Sequence, residues 1–252
     1  MTTTQIPVID EVRLEAFVGQ AVADMGAAIS GLLLHLGDRL GLYKAMAGAG
    51  PITSATLARR TGTVERYVRE WLGNQAAGGY VVYNPQNGTY ELPAEQAMVV
   101  AHEDSPVFLA GAFEAIASCY ADHEVFVSAF RSGAGVAWRE HDERLFSGVV
   151  RLFRPGYGAY LVGEWLPAPD GVVEKLQAGA SVADVGCGMG ASTIIMAQAF
   201  GRSTFAGFDI QRNGATPRRP LHCGRRRRRP CRPQPAPPPA RSAAATRRAC
   251  RG

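Results

Sequence analysis

The residues with the clearest chemical signature form a glycine-rich stretch, DVGCGMG, near the middle of the second half of the chain. Gly186, Gly188 and Gly190 alternate with larger residues, and glycine lets a backbone turn sharply and lie directly against a ligand. The stretch follows a short apolar run at 181–185 and precedes a helical pattern at 191–200. Because a helix N-terminus offers unpaired N–H groups, this pattern predicts a ligand-binding loop between a strand and a helix.

Two acidic residues flank this loop in the sequence. Asp209 ends a second apolar run at 204–208, about 20 residues downstream, where a carboxylate can accept hydrogen bonds from ribose hydroxyls. Asp184 lies two residues before the first glycine, where it would repel a pyrophosphate but suit a cationic or zwitterionic ligand. The spacing is G-x-G-x-G rather than the G-x-G-x-x-G of dinucleotide enzymes. The pattern therefore predicts the opening of a nucleotide-type α/β domain that does not bind a dinucleotide.

This arrangement of glycines and acids resembles motif I of class I S-adenosylmethionine-dependent methyltransferases. The resemblance implies that the first acid and the glycines lie beside the methionine part of the cofactor S-adenosyl-L-methionine, and that the second acid holds its ribose. The expected cofactor-binding residues are Asp184, Gly186, Cys187, Gly188, Gly190 and Asp209. The competing interpretation is an ordinary α/β loop with fortuitous glycines, which the strand and helix required by the motif disfavour.

Three further segments resemble a smaller group within this class of methyltransferases. FRPGY at 153–157, EWLP at 164–167 and DGVV at 170–173 are similar to an actinobacterial group of methyltransferases with an N-terminal winged-helix domain. The resemblance covers residues 27 to 208 and implies a small-molecule methyl acceptor. It identifies neither the acceptor nor a catalytic residue.

The first hundred residues carry the pattern of a winged helix. Helical periodicity at 11–47 precedes two shorter helices at 53–60 and 63–77, and a hairpin is expected at 80–92. Such a domain could read DNA, as in a transcriptional regulator, or act as a helper that dimerises and roofs an active site. The second short helix alternates acidic and basic residues, and the chain before Arg212 has a net charge of −8. Both features favour the helper function and make nucleic acid an unlikely partner.

A helical linker is expected to follow. Ser105 and Pro106 are favourable starting residues for a helix that would run to about residue 130. Further helices are predicted at 140–153 and, after a break at Pro155, at 157–166. These helices could cover a substrate pocket, and the candidate residues there are Trp138, His141, Asp142 and Tyr157. His141 could act as a general base, but a surface histidine within a charged run is the favoured interpretation.

The sequence thus predicts an α/β fold with a mainly α N-terminal part. We expect a winged-helix and dimerisation domain at 1–104, a helical linker at 105–178, the first β-α-β unit of a Rossmann-like methyltransferase sheet at 179–211, and a disordered tail at 212–252. This tail contains 13 Arg, no Lys and no acid, and Arg, Pro, Ala and Gly make up 31 of its 41 residues. It is interpreted as a frame-shifted translation of GC-rich DNA, the alternative being a genuine polybasic arm.

Three hypotheses on function follow. The leading one is a methyltransferase that is truncated and therefore inactive or impaired. The second is a winged-helix DNA-binding regulator, and the third is an interaction module that dimerises through its N-terminal helices. The sequence shows no secretory signal, no membrane span and no metal-ligand pattern, and its isolated Cys119 and Cys187 suit a reducing cytoplasm.

Overall fold

The computed structural model describes residues 9–209 and the backbone of a short strand at 221–223. The chain opens with helix α1 (Glu11–Arg39), whose first turn is capped by Asp10: the Arg13 amide donates to Asp10 Oδ1 at 3.1 Å. Helix α2 (Leu42–Met46) follows after Gly41, which has φ of +68°. The helix expected over 11–47 is therefore interrupted, because a left-handed residue cannot continue a right-handed helix.

The winged helix is formed by α3 (Ser54–Thr61), α4 (Glu65–Ala77) and the antiparallel hairpin of β1 (Val82–Asn84) and β2 (Thr89–Glu91). It is completed by α5 (Ala94–Val100). All of these elements except α5 lie where the sequence predicts them, and the residues that start and end α3, Thr53 and Gly62, are the expected ones. This part of the fold follows from local signals alone.

A compact apolar core supports the winged helix. Leu57 and Leu72 are fully buried between α3 and α4, and Trp71 packs edge-on against Tyr43 with ring centroids 5.0 Å apart. The Trp71 Nε1–H donates to the Leu33 carbonyl at 2.8 Å, which fastens α4 to α1. The buried Tyr43 hydroxyl is satisfied as well, since it donates to Gln75 Oε1.

The helix expected from Ser105 to about residue 130 forms only in part. It begins at Ala110 and is split into α6 (Ala110–Ala121) and α7 (His123–Ser132). The prediction was wrong about the start because the Leu109 amide donates to the Val99 carbonyl at 2.8 Å, a long-range bond that holds the preceding residues in a turn. The split lies at Asp122, whose side chain binds the chain near residue 141.

A 3₁₀ turn (Trp138–Glu140) leads into α8 (Glu143–Gly156), and a π-helix (Tyr157–Trp165) continues from it without a gap. The predicted break at Pro155 is therefore wrong, and Pro155 lies inside α8. Proline has no N–H to donate, and the change from i→i−4 to i→i−5 bonding directly after it lets the helical path continue past the missing bond.

Helices α6 and α8 cross at very close distance. A methyl group on Gly148 would lie 2.6 Å from the Ala115 nitrogen and 2.7 Å from the Gly111 carbonyl oxygen. A methyl group on Gly111 would meet the backbone of α8 just as closely. Both positions therefore require glycine, and the two backbones are in direct contact there.

A partly buried ion cluster joins α8 to the winged helix. Arg151 donates to both oxygens of Asp38 at 2.6 and 2.8 Å, to Glu114 at 2.8 Å and to Glu103 at 3.4 Å. The Asp38 side chain is 4% exposed, so its carboxylate depends on Arg151 for compensation. These bonds raise the pKa of Arg151 and keep it charged.

The C-terminal part contains α9 (Val172–Ala178), β3 (Ser181–Val185), α10 (Ala191–Ala199) and β4 (Thr204–Phe208). Strands β3 and β4 are parallel, with Ser181 opposite Thr204, so α10 is the crossover helix of a β-α-β unit as predicted. Their core consists of Leu176, Phe200 and Phe205.

A fifth strand, β5 (Leu221–Cys223), pairs antiparallel with β4. It lies inside the segment expected to be disordered, and it can form there because strand pairing uses backbone groups whatever the side chains. The rest of the predicted tail, 212–220 and 224–252, lies outside the described residues.

Candidate functional site

The glycine-rich loop adopts the conformation that its residue types predict. Gly186, Gly188 and Gly190 have φ of +80°, +54° and +80°, all in the left-handed region that other residues enter only with strain. Gly190 is the N-terminal cap of α10. The alternation of glycines therefore encodes three alternate left-handed positions between β3 and α10.

The loop is fastened to the end of β4. The amides of Gly186 and Cys187 both donate to the Phe208 carbonyl, at 2.7 and 3.2 Å, and the Gly188 amide donates to Asp209 Oδ2 at 2.7 Å. The Cys187 sulfur lies over Gly207, where an added methyl group would be only 2.7 Å from it. Of the predicted site residues, those from Gly186 to Gly188 and Asp209 are thus brought together.

Asp184 has a different position. Its Oδ2 accepts hydrogen bonds from Ser192 Oγ at 2.9 Å and from Thr193 Oγ1 at 2.6 Å, both in the first turn of α10. Asp184 and Gly190 do not line the cavity beside the loop. The first acid of the motif therefore connects β3 to the start of the crossover helix.

A cavity of about 630 Å³ lies between the loop and the helical linker. One wall is formed by the loop and the end of β4, including Asp209, and the opposite wall is apolar and comes from the 3₁₀ turn and α8. The linker residues in this wall are Trp138, Phe146, Val149 and Val150. A mainly apolar cavity with a few polar groups at one side is typical of small-molecule sites.

Of the four linker candidates, Trp138 lines this cavity, whereas His141, Asp142 and Tyr157 do not. Asp142 caps α8 and binds Arg144 through both carboxylate oxygens, and the Arg144 side chain lowers the pKa of Asp142 to about 2. The Tyr157 ring lies against Phe153 and Trp165. The sequence did not predict the contribution of Phe146.

His141 is held in place by Asp122, a residue that the sequence did not predict as part of the site. Its Nδ1 lies 3.1 Å from Oδ2 of Asp122, whose side chain is 8% exposed. The Asp142 amide also donates to both oxygens of Asp122, at 3.1 and 3.0 Å. No local pattern marks Asp122, since its partners lie about 20 residues away.

The helix that would read DNA in a winged-helix regulator is α4. Its basic residues are neutralised within the helix, because Arg66 pairs with Glu70 and Arg69 lies 3.8 Å from Glu65. Phosphate binding needs uncompensated positive charge. This surface is therefore poorly suited to DNA.

Comparison with protein families identifies the N-terminal part. Residues 27–102 match the family described as the Rv2258c-like winged HTH domain. The comparison with curated proteins gives no match.

Several solved structures with a similar fold are methyltransferases. Mitomycin 7-O-methyltransferase MmcR is 20% identical with a TM-score of 0.57, and 78% of this chain covers 59% of that one. An O-methyltransferase family protein from Burkholderia thailandensis is 15% identical with a TM-score of 0.53, over 81% of this chain and 57% of that one. Human N-acetylserotonin methyltransferase, in complex with SAM, is 16% identical with a TM-score of 0.52, over 83% and 61%.

These likenesses define the fold. The chain has the arrangement of a winged-helix domain followed by a Rossmann-like unit that these methyltransferases share, as the sequence predicted. It spans about three fifths of the length of the solved structures that it matches.

Proposed function

We propose that the chain carries the cofactor-binding loop of an S-adenosylmethionine-dependent methyltransferase that acts on a small-molecule acceptor. The observation that supports this most directly is the open face of the loop. A methyl group added to Gly186 or Gly188 would meet no atom within 4 Å, although the Gly186 amide is bonded to Phe208 of β4 and the Gly188 amide to Asp209 directly after it. A ligand that lies against a bare backbone requires this combination of rigidity and open space.

The residues around the loop fit the cofactor. Asp209 binds the loop with one oxygen, and an ionised carboxylate has about four acceptor sites, so it can also accept bonds from ribose hydroxyls. Asp209 would hold the ribose, the bare backbone of the loop would lie against the cofactor, and the apolar wall would cover it. We propose that Asp184 acts by fixing the first turn of α10 rather than by direct contact, because Ser192 and Thr193 occupy its Oδ2.

When bound, the cofactor supplies a methyl group on a sulfonium, which is already a strong electrophile. The task of the protein is then mainly to align donor and acceptor and to exclude water. The apolar wall of Phe146, Val149 and Val150 serves the exclusion of water. The loop fixes the position of the donor through backbone contacts that do not depend on side-chain rotamers.

We also propose the domain organisation expected from the sequence. A helper domain occupies 1–104, a linker 105–178, the partial methyltransferase unit 179–211 and the tail 212–252. A cytoplasmic location fits the isolated cysteines at 119 and 187.

Cofactor binding by the full chain tests the proposal. S-adenosylhomocysteine is titrated calorimetrically into the wild type, Asp209→Ala and the matched control Asp170→Ala, which changes an exposed acid in the same part of the chain. Losing charged hydrogen bonds to the ribose should weaken binding by about tenfold or more in Asp209→Ala. The control should bind like the wild type. Absence of binding to the wild-type chain, or equal binding by all three proteins, contradicts the proposal.

We further propose that two copies of the chain associate through α1. Residues 11–20 and 22–29 of this helix are exposed, although they include many large apolar side chains. The exposed apolar residues of this segment are Val12, Leu14, Phe17, Val18, Val22, Met25 and Ile29. A helix gains most of its stability in water from packing, so α1 needs a covering surface, and a second α1 offers a matching one.

By length and composition α1 is also apolar enough to cross a membrane, a property that the buried core helices of soluble proteins share. Sedimentation of the purified chain in detergent-free buffer distinguishes these possibilities. We expect a dimer that Met25→Asp dissociates and the control Gln20→Asp leaves intact. A monomeric wild type that is soluble without lipid contradicts dimerisation.

A further inference from the structure

The 3₁₀ turn that carries Trp138 is fixed more firmly than its exposure suggests. The Trp138 side chain is 43% exposed and lines the cavity opposite the glycine loop. Its indole nevertheless packs edge-on against two rings, with centroids 5.4 Å from Phe146 and 5.7 Å from His141. A large part of the indole therefore remains uncovered while its orientation is held from two sides.

The support behind Trp138 is a buried polar pair. His141 Nδ1 lies 3.1 Å from Asp122 Oδ2, and its ring also lies 5.9 Å from that of Phe126. Asp122 stands at the junction of α6 and α7 and receives the Asp142 amide as well. The turn is thus anchored to a second pair of helices by bonds in a poorly solvated place, where they are stronger than at the surface.

We propose that Trp138 is the platform on which a planar aromatic ring of the methyl acceptor stacks, and that His141 and Asp122 are positioning residues for it. This inference rests on the proposed function for the identity of the ligand as an acceptor. A fixed, half-exposed indole on an apolar wall gives a flat ring a large contact area with little ordering cost. The class of acceptor that fits is a small aromatic molecule bearing a hydroxyl or amino group.

The arrangement also predicts how the effects combine. If His141 acts through Trp138, its removal matters only while the indole is present. If His141 served general stability instead, its loss would weaken binding by the same factor with or without the indole. A double-mutant cycle therefore separates positioning from a structural role.

The test uses the full chain and 4-nitrophenol as the probe, with its binding measured by equilibrium dialysis in the presence and absence of S-adenosylhomocysteine. We expect Trp138→Ala to weaken probe binding by about tenfold and Trp138→Phe, which keeps a ring, by less than about threefold. Trp165 is the matched control, because it is 47% exposed and lies outside the cavity, and Trp165→Ala should have no effect.

His141→Ala should weaken binding by about threefold in the wild-type background and by nothing further in Trp138→Ala. The exposed His123 at the same bend supplies the control His123→Ala. A spectroscopic readout accompanies the cycle: in a Trp165→Phe background, His141→Ala should increase the fast component of tryptophan anisotropy decay as the Trp138 indole is freed. Circular dichroism confirms that each variant is folded.

Four results would overturn the inference. The first two are equal probe binding by Trp138→Ala and Trp165→Ala, and additive effects of Trp138→Ala and His141→Ala on probe binding. The third is an unchanged anisotropy decay in His141→Ala. The fourth is a chain that binds S-adenosylhomocysteine but does not bind the probe. The last result leaves the cofactor proposal standing. Conversely, Trp138-dependent probe binding by a chain that fails to bind S-adenosylhomocysteine supports Trp138 as an aromatic-binding platform but refutes both the proposed function and the identity of the ligand as a methyl acceptor.

Discussion

The contact between α6 and α8 gives the sharpest prediction on stability. Replacing Gly148 by alanine adds one methyl group at a point where two backbones touch. Neighbouring atoms that belong to flexible side chains could move aside, but here they are the Ala115 nitrogen and the Gly111 carbonyl oxygen. The helices themselves must therefore separate.

The size of the effect follows from the distances. The added methyl would lie 2.6 Å from the Ala115 nitrogen, about 0.8 Å inside the 3.4 Å at which ordinary contact begins. Overpacking of this kind costs about 1–3 kcal/mol. The better helix propensity of alanine returns at most about 1 kcal/mol. We expect Gly148→Ala to lower the free energy of unfolding by about 1–2 kcal/mol.

The matched control is Gly73→Ala, the same substitution at an exposed position of α4, where the methyl group meets no atom within 4 Å. This variant should be more stable than the wild type by about 0.5–1 kcal/mol. Urea unfolding of the full chain, followed by circular dichroism, should give midpoints that move in opposite directions for the two variants. A Gly148→Ala protein as stable as the wild type would refute the close crossing.

Three further predictions concern buried and charged groups. The pKa of Asp142 is lowered from 3.8 to about 2, so the stabilisation that its carboxylate gives is complete above pH 4 and is lost as the pH falls toward 2. Asp142→Asn should therefore melt at a lower temperature than the wild type at pH 6, and the melting temperatures of the two proteins should become equal near pH 2. Burial lowers the pKa of His35, so the unfolded chain binds more protons below about pH 6.5, and the wild type should lose stability between pH 7 and 5 more steeply than His35→Leu. Arg151→Met leaves Asp38 buried without its partner and should cost about 3 kcal/mol or more in urea unfolding, with partial recovery in the double variant that adds Asp38→Asn.

The sequence predicted those parts of the fold that depend on neighbouring residues. Strands β3 and β4 have the predicted bounds because β3 is followed directly by Gly186, whose φ of +80° leaves the extended conformation, and β4 is followed by Asp209, a residue type that is depleted in strands. The start and end of α3 are equally local. The start of α6 was not predictable in this way, because the bond from Leu109 to Val99 that delays it joins residues of different elements.

The residues of the candidate site also divide into those that a local motif predicts and those that only the packing of distant elements brings together. The loop glycines and Asp209 come together as the motif indicates, since the motif itself contains the strand, the turn and the next strand end. The apolar wall depends on how α8 packs, and only Trp138 among its residues was a candidate. The role of Asp122 was not predicted, because a single acid at a helix junction has no sequence signature until its partner is known.

The bonds from the loop to Phe208 and Asp209 have a consequence for how this segment tolerates change. Twenty-one positions separate Gly188 from Asp209, and α10 together with its exit turn sets the distance along the chain. Deleting a single residue from this connection would shift β4 by one position in its pairing with β3, so that Asp209 would face the other side of the sheet. The length of the crossover is therefore part of the binding motif, and a search for related sites should require a fixed interval as well as the glycines and the acid.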